Sequence, residues 1–236
     1  KLTKKFKAND IYDLNKKVKK YKNKIAAIII EPEGTFESSK KFLVELKNLC
    51  KKNGILLIFD EIICGFRISL GGAAEKYGVS PDLGCFGKSM ANGYPISALV
   101  GRKKIMNMME EIFVSGTFAG ETLSMAASLA TIAKLKKNNI PSKISKLGQQ
   151  LITDTNKIIK NIQLDDTFHF SGNNWWPRLE IKKKNVFLLH LFRQEIIRNG
   201  LFMGSGFNLC YAHCNPKIIS NSLIYLDKKN KIIIID

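Results

Sequence analysis

The sequence predicts an α/β fold whose sheet is mostly parallel. Two short apolar runs, the β-branched-rich Ile25–Ile30 and Ile55–Phe59, have the length of strands and the composition of strands buried on both faces. Between them, Lys40–Lys52 carries apolar residues at three- and four-residue intervals, as an amphipathic helix does, and Asn53-Gly54 is a typical helix end. A strand, a helix and a strand within about 35 residues form a βαβ unit, which requires parallel strands and a right-handed crossover.

The other elements are predicted from the same patterns, in chain order. Residues 1–24 are rich in Lys, and Asp10–Tyr21 has helical spacing. The sequence then predicts a strand at Asp82–Lys88, a turn-rich segment, a strand at Ile96–Val100, a loop at Gly116–Gly120 and a helix at Thr122–Leu135. After a break at Asn138, Asn139 and Pro141, it predicts a helix at Lys143–Lys160, strands near Arg178–Ile181, a helix near Phe187–Asn199, and a final strand and helix.

The composition is that of a globular protein. Hydrophobic residues make up 45% of the chain and charged residues 25%, and no apolar run approaches the ~20 residues that a membrane-spanning helix needs. The net charge is +18, from 38 basic and 20 acidic residues, and only five of the 38 are Arg, which leaves 33 Lys. Because the Lys residues are spread along the chain, without Arg forks or aromatic stacking patterns, we expect neither a nucleic-acid nor a membrane partner.

The cysteines predict neither disulfides nor a metal site. Their number is odd and their spacings are long: Cys50, Cys64, Cys85, Cys210 and Cys214. Cys210, His213 and Cys214 are close in sequence, but the fourth ligand and the paired spacing of a zinc site are missing. Free thiols are typical of a reducing compartment, which favours a cytoplasmic location.

Asp60 and Lys88 are the residues whose positions indicate chemistry. Each lies at the carboxyl end of an apolar strand, so both are expected at the edge of a parallel sheet where α/β folds bind ligands. A desolvated Lys there can attack a carbonyl as an amine, and an acid can pair with a pyridine nitrogen. Pyridoxal phosphate chemistry requires both groups. From the residues alone, an ion pair between the two, or a turn or helix-capping role for Asp60, remains an alternative.

Several segments resemble motifs of the class III (fold type I) aminotransferases. The match to D-E-V-x-T-G-F-R lies in Phe59–Arg67, and the matches to Y-G-V-x-P-D-L, G-K-x-x-x-x-G-x-P-x and G-T-x-x-G-N/E lie in Tyr77–Leu83, Gly87–Ile96 and Gly116–Glu121. Leu209–His213 resembles the S-x-A-H signature of the glutamate-1-semialdehyde aminomutase branch of that family. The motifs are in the family's order and spacing, so the chain is identified as a member of it.

The resemblance implies a role for each of five residues. Lys88 would form the Schiff base with pyridoxal phosphate and shuttle a proton between substrate and cofactor. Asp60 would pair with the pyridine nitrogen, and Ile62, where the family usually has Val, would press on one face of the ring. Thr117 would reach the cofactor phosphate of the partner subunit. Glu31 would lie near the cofactor, with a purely structural role as an equal alternative.

The resemblance also implies that the fold is incomplete. The family's earlier turn that holds the cofactor phosphate at a helix N-terminus, and the aromatic residue that stacks on the ring, have no counterpart in this sequence. We therefore expect residues 1–137 to be the C-terminal half of the large, cofactor-binding domain, followed by a smaller α+β domain at residues 138–236. An unpaired sheet edge is expected at one of the first two strands.

The implied function is amino-group transfer through pyridoxal phosphate. Such an enzyme would be a transaminase or an aminomutase acting on glutamate-1-semialdehyde. Its substrate would be a small molecule, either an amino acid or an amino sugar, and it would work as a homodimer in the cytoplasm. The alternative is a catalytically incomplete fragment that only dimerises or binds a partner.

Overall fold

The structure, a computed structural model, describes residues 2–182, 186–199, 201–202 and 206–215. The chain divides into two compact units, Lys1–Asn139 and Ile140–Asp236. The first contains α1 (Ile11–Lys20), β1 (Ala27–Ile30), α2 (Lys40–Asn53), β2 (Leu56–Asp60), α3 (Gly72–Tyr77), β3 (Leu83–Phe86), β4 (Ala98–Gly101), α4 (Lys103–Met106) and α5 (Thr122–Lys137). The second contains α6 (Ile140–Asn161), β5 (Phe168–Asn173), β6 (Trp176–Ile181) and α7 (Val186–Arg198). Short 3-10 turns lie at Lys88–Met90, Asn107–Glu110 and Tyr211–Cys214. No helix in these described ranges is both long and apolar enough to span a bilayer.

The first unit is organised around a four-stranded sheet in the order β1-β2-β3-β4. β1 pairs with β2, and β2 with β3, in parallel, whereas β4 runs antiparallel to β3. In the register, Ile30 lies opposite Phe59, and Asp60 lies opposite Cys85. The prediction of an α/β fold with a mostly parallel sheet is therefore confirmed.

The core of this unit lies between the sheet and its first two helices. α2 begins at Ser39, whose Oγ accepts a hydrogen bond from Phe42 N at 3.1 Å, and it ends at Gly54, whose φ of 65° is the left-handed conformation that glycine adopts readily. One face of α1, one face of α2 and alternate residues of β1 and β2 form a single cluster that includes Leu14, Val18, Ile28, Leu43, Leu46, Leu57 and Phe59. This cluster holds β2 in place, and β2 ends at the candidate site.

β1 differs from the strand that the sequence predicted. Its residues were expected to be buried on both faces, but only Ile28 is buried, and Ile29 on the opposite face is 58% exposed. In the described sheet β1 has a neighbour on one side only, and the core cluster includes Ile28 but not Ile29. The expected unpaired edge is thus at β1.

α5 carries its apolar residues on the outside. Ser124 and Ser128 are buried, whereas Leu123 and Leu129 are exposed in the described structure. A surface helix normally does the reverse, because burial of apolar area is what stabilises it. The pattern is typical of a surface that another segment or chain covers.

The second unit packs α6 and α7 against a two-stranded hairpin. β5 and β6 pair antiparallel, and their apolar side chains join the helices in a cluster that includes Ile159, Leu164, Phe168, Phe170, Phe192 and Ile196. Strands were predicted near Arg178–Ile181; β6 covers that range, and β5 lies earlier in the chain. Pro141, predicted as a break, lies in the first turn of α6, where the missing N–H of proline costs nothing. The predicted final strand and helix fall largely beyond residue 215, outside the described residues.

Asp82 ties three elements of the first unit together from a buried position. Its carboxylate accepts a hydrogen bond from Leu57 N at 2.8 Å and pairs with Lys47 Nζ at 3.0 Å and with Arg102 Nε at 3.1 Å. Burial raises the pKa of Asp82, but the Leu57 amide, Lys47 and Arg102 outweigh it, so the pKa lies below its ordinary value. Asp82 is therefore a charged anchor at neutral pH.

We expect Asp82→Asn to lower the free energy of unfolding by roughly 1–3 kcal/mol at neutral pH, because the buried charge-assisted bonds are lost. A carboxylate with a depressed pKa stabilises the fold above its unfolded pKa, and that stability is lost as the pH falls through the folded value. The difference between wild type and variant should therefore shrink as the pH falls from about 5 towards about 2. Urea denaturation followed by circular dichroism measures it, with Asp165→Asn at an exposed position as control. A difference that does not change with pH would contradict this role.

Candidate active site

Asp60 and Lys88 lie at the same edge of the sheet. Asp60 is the last residue of β2, and Lys88 follows the end of β3 by two residues. Because β2 and β3 are adjacent and parallel, both residues leave the sheet at its carboxyl edge, where α/β folds bind ligands. Asp60 also acts on its register partner, since burial and the Asp60 carboxylate raise the pKa of the Cys85 thiol.

Asp60 makes a local hydrogen bond. Its Oδ1 accepts from Ile62 N at 3.1 Å, which is a turn interaction. The turn role considered from the sequence is thus realised for one carboxylate oxygen. Among the ion pairs of the described residues, none joins Asp60 to Lys88. The two side chains share an edge without neutralising each other directly.

Lys88 has an unusual backbone. It opens the 3-10 turn after β3 with a φ of 41°, in the left-handed region. For a residue with a β-carbon this conformation costs roughly 1–2 kcal/mol. Met90 and Ala91 are buried and hold the turn, while the Lys88 side chain is exposed. Such backbone strain in a non-glycine residue is concentrated at functional sites.

Glu31, the residue after β1, adds a third charge to this edge. Burial and the Asp60 carboxylate raise the pKa of Glu31, and Lys88 opposes them. Asp60 and Lys88 therefore both act electrostatically on Glu31. The Glu31 carboxyl group lies over Gly34, where a β-carbon would overlap it, so a side chain at position 34 would displace the carboxylate.

Ile62 also lies at this edge. A β-carbon built on Gly87, the residue before Lys88, would lie 3.7 Å from Ile62 Cγ2. The apolar side chain of Ile62 is therefore in ordinary van der Waals range of the loop that presents Lys88. The structure brings four of the five predicted site residues to one edge: Glu31, Asp60, Ile62 and Lys88.

Thr117 is the fifth predicted site residue. It lies in the exposed loop at residues 111–120, and among the described residues no hydrogen bond or ion pair joins it to the other four. At the end of this loop Glu121 caps α5, because its carboxylate accepts hydrogen bonds from Leu123 N at 2.9 Å and Ser124 N at 2.6 Å. The first amides of α5 are thus bound to a side chain of the same chain.

Two buried carboxylates beside the site were not predicted. Glu33 is fully buried, pairs with Lys76 and accepts a hydrogen bond from Tyr77 Oη at 2.6 Å. Burial and Glu33 raise the pKa of Tyr77, so its phenol stays a donor. Glu61 is 1% exposed and binds the start of α3. The sequence signal that could have found them is an acidic residue shortly after a predicted strand. An acidic residue in a solvent-exposed turn gives the same signal.

Comparison with known families assigns the chain. The family model described as aminotransferase class-III matches residues 2–166 of the 236. The chain belongs to the class-III aminotransferases. All five predicted site residues fall within the matched range, and the resemblance of the sequence motifs to this family is confirmed.

The class-III relatives are about twice as long as this chain. It is 36% identical over 215 residues to the glutamate-1-semialdehyde 2,1-aminomutase of Caldicellulosiruptor saccharolyticus, with 84% of the chain and 50% of that protein covered. It is 33% identical over 226 residues to the 3-aminobutyryl-CoA aminotransferase of Cloacimonas acidaminovorans, with 90% of the chain and 54% of that protein covered. The chain therefore spans about half the length of the curated relatives it matches.

A solved structure supports the same fold. The chain superposes on the FumI protein of Sphingopyxis sp. MTA144, in its pyridoxal phosphate internal aldimine form, with a TM-score of 0.88 at 24% identity. The superposition covers 95% of this chain and 56% of that one. The predicted fold, an incomplete class-III aminotransferase fold, is confirmed at the level of the backbone.

The cysteines of the chain should differ in reactivity. Burial and the Glu61 carboxylate raise the pKa of Cys64, and burial together with Asp82 raises the pKa of Cys50 to about 11. Because the thiolate is the reactive form, neither should be alkylated by iodoacetamide at about pH 8 in the native chain, whereas the exposed Cys210 should be. Peptide mass spectrometry measures this, and the denatured chain, in which all should react, is the control. If Cys64 in the native chain reacted as fast as Cys210, this would contradict the burial of the Cys64 thiol and its raised pKa.

Proposed function

We propose that this protein transfers amino groups with pyridoxal phosphate, and that Lys88 is the residue that binds the cofactor covalently. The observation that carries the proposal is the position of Lys88 and Asp60 at the carboxyl ends of adjacent parallel strands in a class-III chain. When bound, pyridoxal phosphate supplies an aldehyde for an amine to attack and a ring that withdraws electrons from the substrate.

Each residue at this edge has a proposed role. Lys88 Nζ holds the cofactor and then carries a proton to and from the substrate α-carbon. Asp60 keeps a proton on the ring nitrogen, since a carboxylate favours a cationic partner. Ile62 packs against one face of the ring. Burial and the Asp60 carboxylate raise the pKa of Glu31 and Lys88 opposes them, which supports a place for Glu31 beside the cofactor.

The described residues fit the reactive end of the cofactor. An amine, a carboxylate and an apolar side chain match an aldehyde, a pyridine nitrogen and a ring face. The phosphate end has less support, because the α5 N-terminus, a suitable phosphate site in principle, already binds Glu121. We propose that Thr117 contributes to the phosphate site of the partner subunit in a homodimer. Its exposed loop, and the exposed Phe113 and Phe118 on either side of it, support this arrangement.

The two units have proposed identities. We propose that the first is the C-terminal half of the cofactor-binding domain, predicted at residues 1–137, and that the second is the small domain predicted at residues 138–236. The boundary after Asn139 supports this division. The unpaired edge at β1, one of the two strands at which such an edge was expected, supports the proposed identity of the first unit.

The substrate is proposed by class. The names of both relatives given above describe the movement of an amino group. The aminomutase moves it within one molecule, and the aminotransferase moves it to a second molecule. We propose that the substrate of this protein is a small molecule, either an amino acid or an amino sugar. A cytoplasmic location is proposed because the described cysteines are all free, as expected in a reducing compartment.

Lys88 should be the preferred attachment site among the lysines. The chain is incubated with excess pyridoxal phosphate and reduced with borohydride, and the labelled peptides are quantified by mass spectrometry. We expect several-fold more label on Lys88 than on the exposed Lys103, because Asp60 and Ile62 lie beside Lys88. Lys88→Arg should lose this label, since a guanidinium stays protonated, and Lys103→Arg should leave it unchanged. Equal labelling of Lys88 and Lys103 in the wild type would count against the proposal.

The 236-residue chain by itself should bind pyridoxal phosphate weakly. The phosphate is the strongest handle of the cofactor, and the described residues offer it little beyond Thr117. Titration followed by absorbance of the lysine-bound cofactor, together with a transamination assay, measures this. Saturation at micromolar concentrations with turnover would mean that the chain or its dimer builds a phosphate site. Dimerisation without binding would favour the alternative of an incomplete fragment.

A further inference from the structure

We propose that Glu61 is a positioning residue, whose buried carboxylate fixes the turn that presents Asp60 and Ile62. The inference rests on the proposed function, because it concerns the two residues assigned to the cofactor ring. Glu61 stands between them in the sequence, but its side chain enters the protein instead of the site.

Both the backbone N–H and the side-chain carboxylate of Glu61 are hydrogen-bonded. Its backbone N–H donates to Cys85 O of β3 at 2.9 Å, which continues the pairing of β2 with β3 by one residue. Its carboxylate accepts hydrogen bonds from Ala73 N at 2.9 Å and Ala74 N at 3.1 Å, in the first turn of α3. The residue therefore joins the end of the sheet to a helix that begins 11 residues later in the chain.

Cys64 completes this arrangement. Its thiol donates to Glu61 Oε2 at 2.9 Å and lies 3.8 Å from the carbonyl oxygen of Asp60. Burial and the Glu61 carboxylate raise the pKa of Cys64, so the thiol keeps its proton and remains a donor at neutral pH. The family motif has Thr at this position, and a Thr hydroxyl can make the same donation.

Gly72 provides the space for the carboxylate. A β-carbon at this position would overlap the Glu61 carboxyl group, and its φ of 65° is in the left-handed region. Since Glu61 is 1% exposed, its carboxylate cannot simply turn out to solvent. The position thus combines a glycine, two amide donors and a thiol donor around one carboxylate.

Fixing Glu61 also constrains its two neighbours in the chain, which are residues of the candidate site. Asp60 and Ile62 flank Glu61, and the Ile62 amide binds Asp60 Oδ1 at 3.1 Å. When the Glu61 carboxylate is held, the backbone on both sides of it is held as well. Removing one partner of a buried charged hydrogen bond costs far more than removing an exposed one, so the turn should loosen when Glu61 is changed.

Asp82 is the matched control. It is also a buried carboxylate that accepts a backbone amide, and it lies before β3 where Lys88 lies after it. Asp82→Asn should therefore destabilise the same sheet from its other end, without touching the turn at residues 60–62. Cys64→Thr and Cys64→Val form a second pair, because the first keeps a donor to Glu61 and the second removes it.

The experiment measures hydrogen exchange and the chemical shift of the Ile62 amide by NMR in the cofactor-free chain. After correction for the change in global stability, we expect Glu61→Gln to speed this exchange by about tenfold or more and Asp82→Asn to leave it unchanged. Cys64→Thr should resemble the wild type, and Cys64→Val should resemble Glu61→Gln. An unchanged Ile62 amide in Glu61→Gln, or an equal effect of Asp82→Asn, overturns the proposal. If Glu61→Gln does not fold, the Cys64 pair decides, and identical Ile62 behaviour in its two members overturns it.

Labelling of Lys88 by pyridoxal phosphate and borohydride separates this inference from the proposed function. In Glu61→Gln the ratio of label on Lys88 to label on Lys103 should fall towards one. If the wild-type ratio is already one, the proposed function fails, and the Ile62 amide still decides whether Glu61 fixes the turn. If the wild type is selective and Glu61→Gln keeps the full ratio, the proposal for Glu61 is overturned.

Discussion

Parallel pairing of β2 with β3 is the constraint on which the candidate site depends. Only because the two strands run in the same direction do Asp60 and Lys88 leave the sheet at one edge. Parallel pairs are slightly less stable per residue than antiparallel ones, and here each strand contributes only a few residues. Side-chain ties supplement the ladder at both ends, from Asp82 to the Leu57 amide at one end and from Glu61 to α3 at the other. The geometry of the site therefore depends on carboxylates that take no part in its chemistry.

The sequence was sufficient for elements whose signals are local. The βαβ unit, the end of α2 at Gly54 and the position of Lys88 after β3 all follow from periodicity and turn residues. α3 was missed because it is short and begins at a pair of glycines, which by themselves indicate a loop. The bounds of β5 were not predicted because it contains His, Ser, Gly and Asn, and its pairing with β6 is decided by tertiary contacts. The exposure of Ile29 could not be predicted, because β-branched composition does not say how many faces of a strand are covered.

The acidic residues show where sequence reasoning about the site stops. Asp60 and Glu61 are adjacent, yet one reaches the edge of the sheet and the other is enclosed by amide and thiol donors. Asp82, which belongs to a motif of the family, anchors the sheet. Alternation along the strand predicts that the side chains of adjacent residues point to opposite faces of the sheet. It does not predict which face offers hydrogen-bond donors to a carboxylate. That information requires α3, a helix that the sequence pattern did not indicate.

The exposed leucines of α5 affect how the association of the protein with itself should depend on salt concentration. Apolar contact between copies is opposed by a net charge of +18, and this repulsion acts over the Debye length, about 30 Å at 0.01 M ionic strength but only ~8 Å at 0.15 M. The attraction between exposed apolar side chains has no such dependence and is strengthened by salts such as sulfate. Dilute buffer should therefore oppose apolar contact between copies more strongly than physiological salt does. The positive charge of the many lysines thus opposes association through the exposed apolar residues of α5.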